Sequence, residues 1–237
     1  MENNTKFLEE FKKLETVLRK IANKGDRTSF RDILDIVENK NYVIQHKRQI
    51  IQNLYALRNI FSHIDRDKYI ANVNDIAFNE IKIILKLLNT PPKAGDVFKK
   101  SVFTAQFNDR TEDVIKEMNK NIYTHVPIYN NKEYLGTFSE NTIFAWLADH
   151  IIQGQADFRK LELRNVDKKY LDLKNDTVEF ISEKTNIFEI KQKFEEAIKK
   201  NQRLGALFIT HTGGKNHFPP IGIVTAYDLP KIDEYLK

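Results

Sequence analysis

The chain contains no cysteine. Disulfides, thiolate metal sites and thiol catalysis are therefore excluded. Glycine and proline are scarce, with eight and six residues among 237. No apolar run reaches the length of a membrane span, and the N-terminal stretch MENNTKFLEEFKK has no signal-peptide core. A cytoplasmic location with no membrane partner is the expectation. What is present is a 41% apolar fraction, enough for a core, and a net charge of +5. With a pI of about 9.1, the chain is compatible with a polyanionic partner but does not require one.

The first half reads as helical. TKFLEEFKKLETVLRKIANKG carries Phe7, Leu8, Phe11, Leu14, Val17, Leu18 and Ile21 at steps of three and four, with Gly25 as a helix stop. SFRDILDIVENKN is a shorter helix capped by Thr28 or Ser29. YVIQHKRQIIQNLYALRNIFSHI is a longer one, with Ile50, Leu54, Leu57 and Phe61 on its apolar face. VNDIAFNEIKIILKLLNT is a fourth, with Ile76, Ile81, Ile84, Leu85 and Leu88. Short links between four helices predict an up-and-down bundle. Pro91 and Pro92 cannot continue the last helix, so the domain boundary is placed at residue 92.

Beyond it, short β-branched and aromatic runs alternate with helical patterns. SVFTAQF, RTEDVIKEMNKN, THVPIYN, EYLGTFS and ENTIFAWLADHIIQ read as strand, helix, strand, strand, helix. The order returns in TVEFISE, NIFEIKQKFEEAIKKN, GALFIT, PIGIVTA and DLPKIDEYLK. Such an internal repeat defines the architecture. Asp109-Arg110-Thr111 aligns with Glu183-Lys184-Thr185, and Gly136 with Gly222. The second copy is longer, and the surplus is assigned to its first helix and the loop HTGGKNHFPP. The expected fold is α plus α/β, a four-helix bundle over 1–92 followed by β-α-β-β-α repeats over 93–154 and 155–237.

GTFSENT and GIVTAYD each combine a glycine, two further residues, a hydroxyl residue and, three positions on, Thr142 or Asp228. With the repeat, this resembles a tandem pair of CBS domains. The resemblance implies adenine-nucleotide binding (AMP, ADP, ATP or similar) between the repeats, reported to an attached domain. It implies a site at Gly222, Thr225 and Asp228. Thr225 would bond phosphate, Asp228 would accept from ribose hydroxyls, and Gly222 would let the backbone come close. Phe180 and Ile181 on the first strand of the second repeat would hold the adenine. In the first copy Ser139 and Thr142 stand in the same places, but Thr142 replaces the aspartate usual in the family. Thr225-x-x-Asp228 also fits a capping box that needs no ligand. His211 and His217 in the long loop lack a third partner, and no metal site is assigned.

The third helix carries RNIFSH, with Arg58, Asn59 and His63. In a bundle of this size it resembles the RN-x3-H signature of HEPN domains, many of which are metal-independent endoribonucleases. The resemblance implies a composite site of Arg58, Asn59 and His63 from two chains meeting across a two-fold axis. The chemistry suits RNA cleavage, because an imidazole can act as acid or base and a guanidinium can clamp a phosphate. His46, Lys47, Arg48, Arg66 and Lys68 would add positive charge, and Tyr55 and Phe61 would stack on bases. A structural reading stands beside this one, in which Arg58 pairs with Glu15 or Asp65 and His63 caps a helix.

The resulting expectation is a homodimeric, cofactor-free HEPN-type ribonuclease controlled by an adenine nucleotide, with a toxin or defence role by family analogy. The rival is a non-catalytic nucleotide sensor and dimerisation module that signals to a partner protein. A further alternative is one half of a two-component nucleotidyl-transfer system.

Overall fold

A computed structural model describes residues 2–62, 72–151, 161–216 and 219–237. His63, Asp65, Arg66, Lys68, His217 and the predicted boundary between the repeats at 154/155 lie outside the described residues. The chain divides into two compact units, Met1–Pro92 with Glu234–Lys237, and Lys93–Asp233.

The first unit packs four helices, α1 (Glu2–Ala22), α2 (Phe30–Glu38), α3 (Tyr42–Ser62) and α4 (Asp75–Asn89). Phe7, Phe11, Leu14 and Leu18 are completely buried on one face of α1, as their three- and four-residue spacing requires. They share one core with Ile33 and Leu34 of α2, Ile51 and Leu54 of α3, and Ile81 and Ile84 of α4. Ile76 leaves the predicted apolar face and is exposed.

The stop predicted at Gly25 falls earlier, at Asn23, which takes the left-handed conformation (φ 54°). Its N–H donates to Lys20 O and the Lys24 N–H donates to Arg19 O, the paired bonds of a Schellman end. Arg19 then holds the following loop by donating to Gly25 O (2.8 Å) and Thr28 O (3.0 Å). Ser29 caps α2 by accepting from the Asp32 N–H.

The second unit opens with α5 (Ala94–Phe98) and contains two three-stranded sheets of identical topology. In the first, β1 (Ala105–Gln106) runs parallel to β2 (His125–Asn130), which pairs antiparallel with β3 (Glu133–Ser139). Helices α6 (Thr111–Asn121) and α7 (Glu140–Ile151) belong to this repeat. A short helix, α8 (Lys168–Leu171), leads into the second repeat. There β4 (Thr177–Ser182) runs parallel to β5 (Leu204–Thr210), and β5 pairs antiparallel with β6 (Gly222–Val224). Helix α9 (Ile187–Lys199) follows β4, and a 3-10 turn (Ala226–Asp228) followed by α10 (Leu229–Asp233) follows β6. No described helix is long and apolar enough to cross a membrane.

The two repeats exchange their lead-in segments. Ala94 N–H donates to Thr185 O and Gly95 N–H to Glu183 O, while Lys100 N–H donates to Ile221 O. The lead-in of the second repeat mirrors this, with Leu163 N–H donating to Asp109 O and Thr111 N–H to Leu161 O. Each lead-in satisfies backbone groups of the other repeat, so the repeats form one body.

Candidate functional site

The lead-ins explain the two aligned glycines. A Cβ on Gly222 would come within 2.5 Å of Phe98 O, and one on Gly136 within 2.7 Å of Leu171 Cβ. Gly222 therefore admits close backbone approach, as expected, but the backbone it admits is the chain's own.

After β6, Thr225 and Asp228 close a capping box. The Asp228 carboxylate accepts from the Thr225 N–H (2.8 Å) and hydroxyl (3.1 Å) through Oδ2. Its Oδ1 faces the Lys100 Nζ at 3.8 Å. The cap predicted from Thr-x-x-Asp thus exists, and one oxygen of the aspartate remains directed at a solvent-accessible cation. Both residues line a cavity of about 590 Å3, together with Phe103, Tyr123, Ile223 and Glu140. Its apolar wall is partly aromatic, since the Phe103 and Tyr123 rings stack with centroids 5.8 Å apart. Ile122, on the rim, has φ 57° and is 87% exposed. A β-branched residue in the left-handed region carries strain of about 1–3 kcal/mol, held here where α6 ends.

The first-repeat turn is filled. Ser139 and Thr142 are buried, and the Asp176 carboxylate, delivered just before β4, faces Ser139. Asp176 Oδ2 accepts from the Ser139 hydroxyl (2.8 Å). Oδ1 lies 3.2 Å from His125 Nε2 and 3.4 Å from Arg203 Nε. The Thr124 hydroxyl faces His125 Nδ1 at 2.8 Å. Thr142 donates to Tyr170 O (2.8 Å). Burial alone would raise the carboxyl of Asp176, but hydrogen bonds from His125, Asn141 and Ser139 outweigh it and hold it down at about 2. The two turns are thus charge-swapped. One lead-in brings Lys100 to Asp228, and the other brings Asp176 to Ser139.

Phe180 and Ile181 do not join the Thr225/Asp228 cavity. Ile181 is buried, and the half-buried Phe180 packs edge-on against Tyr134 (4.9 Å) and against Phe208 (5.3 Å). The lead-in exchange is the cause, because residues 100–103 of the first repeat take the wall that the second repeat's own strand was expected to supply. Sequence reading missed Lys100 and Phe103 for the same reason, and missed Tyr123 and Glu140 because they come from the first repeat, after α6 and at the start of α7. A second cavity of about 510 Å3 adjoins the first, sharing Thr124, His125, Glu140, Thr225 and Tyr227 and adding Arg203. In the long loop, His211 Nδ1 lies 3.2 Å from Glu183 Oε2. Among the described residues no group of three or more His, Asp or Glu side chains is placed to hold a metal.

On α3, the half-buried Arg58 donates to Asn59 Oδ1 (3.0 Å). Glu15 does not take the role expected of it, since it pairs with Arg19 (2.6 Å). The surrounding groups differ from expectation as well. Lys47 is buried against Glu80 (3.2 Å), and Arg48 bridges Asp35 and Glu38. Phe61 lies in the core against Phe7, and Tyr55 stacks on Phe30 at 4.3 Å. These rings and two of these cations serve the bundle.

Residues 94–149 match the family model of the CBS domain, and a CBS domain therefore lies in the first repeat. Among solved structures, the CBS domain of a membrane protein from Sphaerobacter thermophilus is 16% identical, with 66% of this chain and 97% of that chain covered and a TM-score of 0.45. A candidate acetoin utilization protein (AcuB) from Vibrio cholerae is 18% identical, covering 61% and 91%, with a TM-score of 0.44. CBSX2 in complex with AMP is 14% identical, covering 60% and 96%, with a TM-score of 0.41. None of the curated proteins compared matches the chain.

Proposed function

We propose that this protein is a regulatory sensor in which residues 93–233 bind an adenosine-containing ligand and the helical bundle carries the response. The observation that supports this is the Asp228 carboxylate at the polar end of a cavity with an aromatic wall. Oδ2 is fixed by Thr225, which leaves Oδ1 to accept from the ribose hydroxyls. The Phe103–Tyr123 pair and Ile223 offer an apolar face to the adenine. In this reading Ser139 and Thr142 bind no ligand, because Asp176 already satisfies Ser139 and the turn is closed. Isothermal titration of the full chain with adenosine ligands is the test. Asp228→Ala is expected to weaken binding by about 10- to 100-fold, as loss of a hydrogen bond to a charged group does. Unchanged affinity in that variant would remove the site from this cleft.

A second reading keeps the HEPN-type ribonuclease in the bundle, acting as a homodimer through Arg58, Asn59 and His63. It is favoured by the Arg58–Asn59 contact, which presents the guanidinium and amide as one half-buried unit on α3. RNA cleavage in EDTA that disappears in His63→Ala, with dimer and helicity retained, would establish it. No cleavage at any ligand concentration, with binding intact, leaves the sensor reading alone.

A further inference from the structure

We infer that the ligand of the Thr225/Asp228 cleft is an adenosine whose 5′ substituent is neutral or cationic, and that polyphosphate tails are disfavoured. The inference rests on the proposed adenosine site and concerns only what the site selects.

The charges that line the cavity carry it. Apart from His125, whose ring nitrogens already face Asp176 and Thr124, they are one cation, Lys100, against two carboxylates, Asp228 and Glu140. Lys100 faces Asp228 at 3.8 Å, so its charge is largely matched before any ligand enters. Glu140, at the start of α7, has no cationic partner among the described residues, and it lines the adjoining cavity too. In that second cavity the cation is Arg203, and it is turned to Asp176 at 3.4 Å. Each lysine or arginine that could receive a phosphate is therefore already opposite an aspartate.

Thr225, the residue expected to bond a phosphate, has its donors already committed. Its N–H is given to Asp228 Oδ2 at 2.8 Å. The Thr225 hydroxyl is given to the same oxygen at 3.1 Å. A phosphate here would meet a carboxylate-rich wall, whereas a sulfonium or ammonium group would meet Glu140 as a counter-ion. Two or three added negative charges at such distances cost about tenfold or more in affinity.

The test is titration of the full-length protein, at low salt and without magnesium, with 5′-methylthioadenosine, S-adenosylmethionine, AMP and ATP. Methylthioadenosine and S-adenosylmethionine are expected to bind at least about tenfold more tightly than ATP, with AMP between. Glu140→Gln is expected to raise affinity for ATP more than for methylthioadenosine and so narrow the gap. ATP binding as tightly as methylthioadenosine, or a gap unmoved in Glu140→Gln, would overturn the inference while leaving the adenosine site standing. Binding of none of the four compounds would overturn the adenosine site itself.

Discussion

Asp176→Ala is expected to destabilise residues 93–233 by about 2–4 kcal/mol, the cost of leaving its buried hydrogen-bonding partners without their acceptor. The carboxylate is the common partner of Ser139, His125 and Arg203. Without it the Ser139 hydroxyl loses its 2.8 Å acceptor and the buried His125 Nε2 loses its partner. Asp176→Asn keeps an acceptor and should lose less. Urea unfolding followed by Trp146 fluorescence reads this directly. Trp146 is the single tryptophan of the chain and is buried in the first repeat. An Asp176→Ala midpoint equal to that of the unchanged protein would show that the network contributes nothing.

The same carboxylate gives acid sensitivity with a defined sign. Its folded value, about 2, lies below the ordinary value of 3.8. The stabilisation is therefore present above the unfolded value and lost as pH falls through the folded one. It amounts to about 2 kcal/mol, shed between about pH 4 and pH 2. Asp176→Asn should flatten that part of the stability–pH curve.

Gly222→Ala is expected to cost about 3 kcal/mol, at the upper end of ordinary overpacking. The added Cβ would meet Phe98 O at 2.5 Å and Ile209 Cδ1 at 3.1 Å. A carbonyl oxygen held in a lead-in cannot rotate away as the end of a long side chain would. Gly136→Ala, facing Leu171, should show a related loss, whereas a Cβ at Gly25 would meet nothing within 4 Å and Gly25→Ala serves as the control. Thermal unfolding by circular dichroism separates them. A Gly222→Ala protein that melts with the control would mean that the lead-in does not sit against β6.

The repeat was readable in the sequence because strand and helix periods alternate in the same order twice, and because glycine and hydroxyl residues recur at matching places. The helices of the bundle were readable from the spacing of Phe7, Phe11, Leu14 and Leu18. The wall of the cleft was not, because the exchange of lead-ins is a tertiary event with no local signature. That exchange puts Phe103, not Phe180, beside Thr225. Thr142 was visible as a departure from the aspartate at position 228, but the carboxylate at that turn comes from Asp176, far along the chain, and bonds Ser139. Lys47 looked like part of a basic surface, and only packing shows it buried against Glu80. Asn23 ended α1 ahead of the more obvious Gly25, because asparagine also tolerates the left-handed conformation.

The exchanged lead-ins also bear on how the chain is made. Residues 94–100 are translated well before the groups they bond, Glu183 O, Thr185 O and Ile221 O. Closing loops of that length carries an entropic cost before any contact rewards it. The first sheet can pair its own three strands during synthesis, but α5 must wait for β6. The unit therefore completes its fold only after residues 183–221 have been released. A message truncated within the second repeat would yield a first repeat with its lead-in undocked, a natural target for quality-control proteases.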